Sequence, residues 1–209
     1  MILHVQQVKQ EMFAADFNIL RNNTPVGSMQ FRGKLSSRDG HWNYDLYARK
    51  LELGHNATIR NGLPRNAYRP YQIYENQKLT GYVFNDTVKQ NFFTSYSVAK
   101  VYWDDAEYIM YFIGFGEEGA KNPIYRNGVQ VAQIEKDCTV YNGLYQYKLY
   151  AKDEISAHAA VMLCSYMYSC AGYEPGLKVA KAVQKAVSIT KNKEILSKYD
   201  PSFCDGIER

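Results

Sequence analysis

The side chains best suited to chemistry are three arginines in one short stretch. Arg60, Arg65 and Arg69 lie in Arg60-Asn-Gly-Leu-Pro-Arg-Asn-Ala-Tyr-Arg-Pro70, beside Tyr68 and Tyr71. Gly62, Pro64 and Pro70 constrain that loop, and three guanidinium forks held together suit a phosphate gripped bidentately. The plainer alternative is a solubilising loop paired with nearby carboxylates. Other constellations carry less. Gly114-Phe-Gly116-Glu-Glu-Gly119 has the GxGxxG spacing, but a dinucleotide site needs a helix opening there. Here Asn122-Pro123 leads into another strand, and Glu117 and Glu118 repel phosphate, so the segment reads as a loop. The histidines at 4, 41, 55 and 158 lack metal-ligand spacing. Cys164 and Cys170 are six residues apart, about 240° around a helix, so they cannot share a metal or a disulfide. No GxSxG elbow occurs. The expectation is a non-enzymatic chain with no catalytic residue, no metal and no cofactor. His158 reads as a core histidine bonded to a strand tyrosine or carbonyl, with proton transfer as the alternative.

These residues are positioned by a repeat. Asn18-Ile19-Leu20-Arg21-Asn22-Asn23 runs into Val26-Gly27-Ser28-Met29, Gln72-Ile73-Tyr74-Glu75-Asn76-Gln77 into Thr80-Gly81-Tyr82-Val83, and Pro123-Ile124-Tyr125-Arg126-Asn127-Gly128 into Val131-Ala132-Gln133-Ile134. Ile19, Ile73 and Ile124 stand 54 and 51 residues apart, the interval of repeat-built folds. Each copy is a hairpin that cannot bury its apolar face alone.

Composition fits one globular domain: 209 residues, 22% charged and 46% hydrophobic, with a net charge of +4 that is mild for a nucleic-acid binder. Lys9 and Glu11 interrupt the N-terminus before an apolar run develops, and position 2 is Ile rather than Gly. No signal peptide or myristoyl signal is therefore expected. Cys138, Cys164, Cys170 and Cys204 form no CxxC pair, and reduced thiols in a cytoplasm are expected. Asp39-Gly40, Asn61-Gly62, Asn127-Gly128 and Asn142-Gly143 are hairpin dipeptides. Nineteen tyrosines suit strands whose rings line a core while their hydroxyls find partners. Each repeat continues into a Tyr-rich segment, 42–53, 92–115 and 139–151. Four strands in each of three units predict about twelve antiparallel strands, enough to close a barrel.

The pattern changes at 155–171, which carries no charge. Asp153 and Glu154 precede it and Gly172, Pro175 and Gly176 follow, so it reads as a helix. It is apolar nearly all round and predicted to fill the barrel axis, with His158, Ser165 and Ser169 on one stripe. A membrane span is the competing reading, though the segment falls short of about 20 residues. Residues 173–209 follow as a basic extension. From position 177 it holds seven Lys or Arg against four Asp or Glu. Val179, Ala182, Val183, Ala186 and Val187 have helical spacing, giving an amphipathic helix that packs on the barrel or lies on an anionic membrane. A β-conformation for 179–189 is the alternative, and 192–201 reads as a short helix stopped before Pro201.

Together Gly27-Ser-Met-Gln-Phe-Arg-Gly-Lys-Leu35, Tyr71-Gln-Ile-Tyr74, Ile124-Tyr125, Ala132-Gln-Ile-Glu-Lys136 and the helix resemble the tubby-like superfamily. Within it the similarity is nearest to the LURP-one-related proteins and their bacterial relatives; phospholipid scramblases also belong to it. The resemblance covers about residues 1–172. It implies a twelve-stranded barrel around a central helix, with phospholipid interaction recurring in several branches. In tubby and plant members the helix sits near the chain end; here a tail follows. Two functions are expected as alternatives. The first is an intracellular binding or scaffold domain, a monomer contacting an anionic membrane surface or a phosphorylated small molecule through Arg60, Arg65 and Arg69. The second is a scramblase-like, lipid-moving protein anchored by 155–171.

Overall fold

The computed structural model describes residues 1–11, 13–33, 40–55, 63, 67–90, 95–137, 139–141, 143–170, 182–184 and 189–207. Segments that alternate apolar and polar residues form strands, because successive side chains leave opposite faces of the pleat. In chain order these are β1 (Ile2–Glu11), β2 (Ala14–Arg21), β3 (Thr24–Arg32), β4 (His41–Leu46), β5 (Arg49–His55), β6 (Tyr68–Glu75) and β7 (Lys78–Lys89). They continue with β8 (Ser95–Trp103), β9 (Ala106–Tyr111), β10 (Ala120–Arg126), β11 (Val129–Lys136), β12 (Thr139–Tyr141), β13 (Gln146–Ala151) and β14 (Ala182–Gln184). Twelve of them, all but β12 and β14, close into one antiparallel barrel whose neighbours follow chain order. β1 seals it against β13, pairing Ile2 with Tyr150 and Gln6 with Gln146.

The three sequence repeats are three four-strand units, β2–β5, β6–β9 and β10, β11, β13 with β1. Each opens on a two-residue turn with both residues at positive φ: Asn22 and Asn23 (49° and 63°), Asn76 and Gln77 (49° and 64°), Asn127 and Gly128 (51° and 77°). Such turns match the right-handed twist of their strands. The register shifts immediately after Ile19, Ile73 and Ile124 alike. Gly27 and Gly81 follow from close backbone approach: a Cβ there would stand 2.1 Å from the Asp45 oxygen and 1.9 Å from the Tyr102 oxygen. The third unit departs from the others. Where Tyr47-Ala48 and Asp104-Asp105 turn the chain back, Ala151 leads on into a helix. The N-terminus supplies the missing strand, the Ala151 amide donating to the Met1 carbonyl (3.0 Å) and the Met1 ammonium to the Ala151 carbonyl (2.6 Å).

Helix α1 (Glu154–Cys170) fills the barrel. Asp153 caps it, its Oδ1 accepting from the Ser156 amide at 2.7 Å. Residues 156–166 are all buried, and the apolar ones share one core cluster with inward side chains from all twelve barrel strands. Tyr168 packs edge-on to Phe17, Trp42 and Tyr145, and Tyr166 edge-on to Tyr71. Ser165 and Ser169 satisfy themselves on Val161 and Ser165 carbonyls, and Ser169 Oγ also accepts from Trp42 Nε1 at 2.8 Å. Full burial of each large apolar side chain contributes about 1.5–3 kcal/mol, so the helix and the inner wall stabilise one another.

Because the barrel is a meander, its connections alternate between ends. One end carries the tight turns and admits the start of α1; the other carries the longer connections, and α1 finishes there. The 139–151 segment is not one barrel element. Thr139–Tyr141 leaves the wall and pairs with Ala182–Gln184, Val140 opposite Val183. An amphipathic helix over 177–189 is thus corrected at 182–184, where strand pairing wins; the rest of 171–188 lies outside the described residues. Beyond it, α2 (Lys193–Leu196) is capped by Asn192 and held to the outer wall by Tyr96 Oη on Glu194 (3.1 Å) and Tyr125 Oη on the Lys198 carbonyl (2.7 Å). Phe203 and Ile207 then cover Tyr150 and Ile2.

Candidate functional site

The loop end holds the arginine stretch. Arg60 and Arg65 lie outside the described residues. Arg69 lies at the start of β6, exposed, with φ 49°, in an irregularity where register skips from Tyr68 to Tyr71. A branched-free but bulky residue in the left-handed region carries strain, and such positions cluster where a side chain must be aimed. The Arg69 guanidinium sits 5.3 Å above the Tyr68 ring, and that ring is 59% exposed. The backbone beneath is fixed: Tyr166 of α1 donates its hydroxyl to the Tyr68 carbonyl at 3.0 Å. The core helix therefore anchors an aromatic–guanidinium pair that faces solvent. Between Glu52 and Glu75 the chain contains no Asp or Glu. Phe13, 51% exposed in the β1–β2 connection, lies at the same end.

The turn end holds a second group, less legible in sequence. Arg49 and Glu75 form a two-point ion pair, Nε to Oε1 and Nη2 to Oε2, each 2.8 Å. That bond pulls the Glu75 carboxyl below its ordinary range and raises Arg49. Arg49 also lies 4.3 Å over the Trp103 ring. Below it, His158 packs between Tyr44 and Trp103, ring centroids 6.4 and 5.8 Å away. Among the described residues the expected bond from His158 to a tyrosine or carbonyl is absent at Nδ1, and Tyr44 Oη and Trp103 Nε1 likewise have no hydrogen-bond partner. Burial, aided by the Arg49 charge, pushes the imidazole down to about 4, with Glu75 opposing. A histidine held neutral and walled in by rings is placed for packing rather than for exchanging protons with a substrate. The ion pair was missed because Arg49 and Glu75 are far apart in sequence and each looks like an ordinary surface charge.

The remaining candidates behave as structure. Gly116–Glu118 is a single 3-10 turn leading into β10, with no helix to receive a phosphate. Cys164 and Cys204 are free thiols, burial raising the first far above its ordinary range and the second to about 11. Cys138 and the Cys170 side chain lie outside the described residues. Among the described residues no group of three or more His, Cys, Asp or Glu could hold a metal ion, and no helix is long and apolar enough to cross a membrane. The chain matches no family model, no curated protein and no solved structure.

Proposed function

We propose that this chain is a non-enzymatic binding domain of tubby-like kind that meets anionic phospholipid headgroups with its loop end. The observation that carries the reading is the Tyr68–Arg69 pair: exposed, aimed by a strained backbone, anchored to the core helix, and set in a carboxylate-free stretch with two more arginines. A tyrosine at the headgroup level and guanidinium forks on phosphate are complementary to a membrane interface. Each basic residue near an anionic surface contributes about 1 kcal/mol. Three together give a weak, salt-sensitive attachment rather than insertion.

The anchored, lipid-moving alternative is less well supported. It needs α1 in the bilayer, yet α1 is the barrel's own core. The wall itself is the reverse of a lipid-facing barrel, since Asn18, Gln30, Asn43 and Glu52 point outward while the apolar residues point in. Co-sedimentation tests the proposal. The chain should pellet with phosphatidylserine-containing vesicles at low salt, not with pure phosphatidylcholine, and should be released near molar salt. Replacing Arg60, Arg65 and Arg69 together by Ala should abolish pelleting. No association with anionic vesicles at low salt would remove the reading.

A further inference from the structure

The internal repeat offers a comparison within one molecule. Strand pairing places three equivalent rows on the outer wall: Ser28–Asp45–Lys50 in the first unit, Tyr82–Tyr102–Glu107 in the second and Gln133–Tyr150–Ile2 in the third. The second row also borders a groove, of about 550 Å³ with Leu79, Trp103 and Ala106 in its lining, but its charged groups are paired among themselves. Lys100 bridges Asp86 (3.0 Å) and Glu107 (3.3 Å), Tyr102 Oη donates to Glu107 at 2.5 Å, and Phe84 stacks on Tyr102. The third row is covered by the C-terminal segment, Phe203 and Ile207 lying on Tyr150 and Ile2 and Cys204 Sγ accepting from Gln133. Among the described residues the side chains of the first row are neither paired nor covered. That row borders a groove of about 290 Å³ across β3, β4, β5 and β6, at the small end of ligand pockets.

We propose that this groove is a carbohydrate site that takes an uncharged sugar ring. The side chains of Gln30, Asn43, Asp45, Lys50 and Glu52 converge on it and make no hydrogen bond or ion pair among the described residues. Two amides offer donor and acceptor together, two carboxylates accept, and an ammonium donates. Vicinal hydroxyls, each both donor and acceptor, need such a set. Tyr74 supplies the apolar element. Its hydroxyl is pinned on Gln72 Oε1 at 2.6 Å, and its ring lies over Gly54, where even an added Cβ would stand 3.9 Å away. A ring held at its far end with an open face suits the C–H face of a pyranose, whose polarised hydrogens meet the negative π surface. Two carboxylates against one ammonium repel phosphate, so the site differs in chemistry from the loop end and does not rest on that reading.

The test uses the whole chain, ¹⁵N-labelled, titrated separately with glucose, galactose, mannose, N-acetylglucosamine and maltose, and with inorganic phosphate as control. At least one sugar should give saturable amide shifts confined to β3–β6, with a Kd of about 1 mM, the strength that small ligands of this size reach in an open site. Asn43→Ala and Glu52→Gln, both exposed positions, should weaken binding at least tenfold. Tyr74→Phe should keep it and Tyr74→Ala lose it, while Gln146→Ala on the opposite wall changes nothing. Absence of saturable β3–β6 shifts with all five sugars, equal binding by the Asn43 and Glu52 variants, or displacement of the sugar by phosphate would each overturn the proposal.

Discussion

Val161→Asp probes the packing of α1 inside the barrel. Val161 is fully buried and its shell is apolar. An ionised carboxylate cannot persist there, so the folded state takes up a proton. Protonating a group whose unfolded pKa is about 3.9 costs about 4 kcal/mol at pH 7, at about 1.36 kcal/mol per unit. Burying the carboxylic acid without a partner adds about 1–3 kcal/mol, and the lost valine transfer about 1.5 kcal/mol more. The sum, about 6.5–8.5 kcal/mol, matches the whole stability of an ordinary domain of 5–15 kcal/mol. Urea denaturation followed by far-UV circular dichroism measures it. The sign with pH is specific: the folded state binds the extra proton, so the penalty shrinks by about 1.4 kcal/mol for each unit that pH falls from 7 toward 4. Val161→Ala, costing about 2 kcal/mol with no pH dependence, is the control. If Val161→Asp melts within a few degrees of the parent at pH 7, α1 is peripheral and the architecture is wrong.

Three further outcomes follow from particular contacts. His158 is neutral when folded and held down to about 4, so the unfolded chain binds the extra proton and stability falls as pH drops from about 6.5 to 4. The loss is about 3 kcal/mol, and His158→Gln should flatten that part of the pH–stability curve; an unchanged slope would contradict it. Gly81→Ala should cost several kcal/mol, because the new methyl meets the Tyr102 carbonyl and the β7–β8 ladder must open, whereas Ala132→Gly, at the equivalent place in the third unit, should cost about 1 kcal/mol. Cys164, whose thiolate is disfavoured by burial, should react with a disulfide reagent only at the rate of global unfolding, measured by thiol titration with and without denaturant.

Much of the fold was legible because it rests on local rules. The Asn-rich turns after Ile19, Ile73 and Ile124 carry the left-handed conformation in their residue types, and the uncharged run before Cys170 announces a buried helix. What escaped depends on distant partners. Tyr47-Ala48 adopts the same turn without its usual residues, and Asp104-Asp105 without the usual glycine, because neighbouring strands already fix the chain. Nothing in Ile2–Glu11 says that it completes the third repeat, and nothing in Ala182–Gln184 says that Thr139–Tyr141 awaits it. At the site, Arg69 was visible as a charge in a proline-bounded loop, but its seat on Tyr68 and the support from Tyr166 arise from the helix meeting the rim. The outer groove was invisible, since its side chains come from four strands and only the contrast of its unpaired polar groups with the paired second row and the covered third row marks it out.

The orientation of the barrel on a bilayer tests the proposed function most directly. Phe13→Trp places a reporter at the loop end and Val129→Trp one at the turn end, both at exposed positions. With phosphatidylserine vesicles containing brominated acyl chains, the account predicts quenching of the added tryptophan in Phe13→Trp and none in Val129→Trp, with Trp42 and Trp103 unaffected in the core. Equal quenching at both ends, quenching at the turn end alone, or none at either would contradict it.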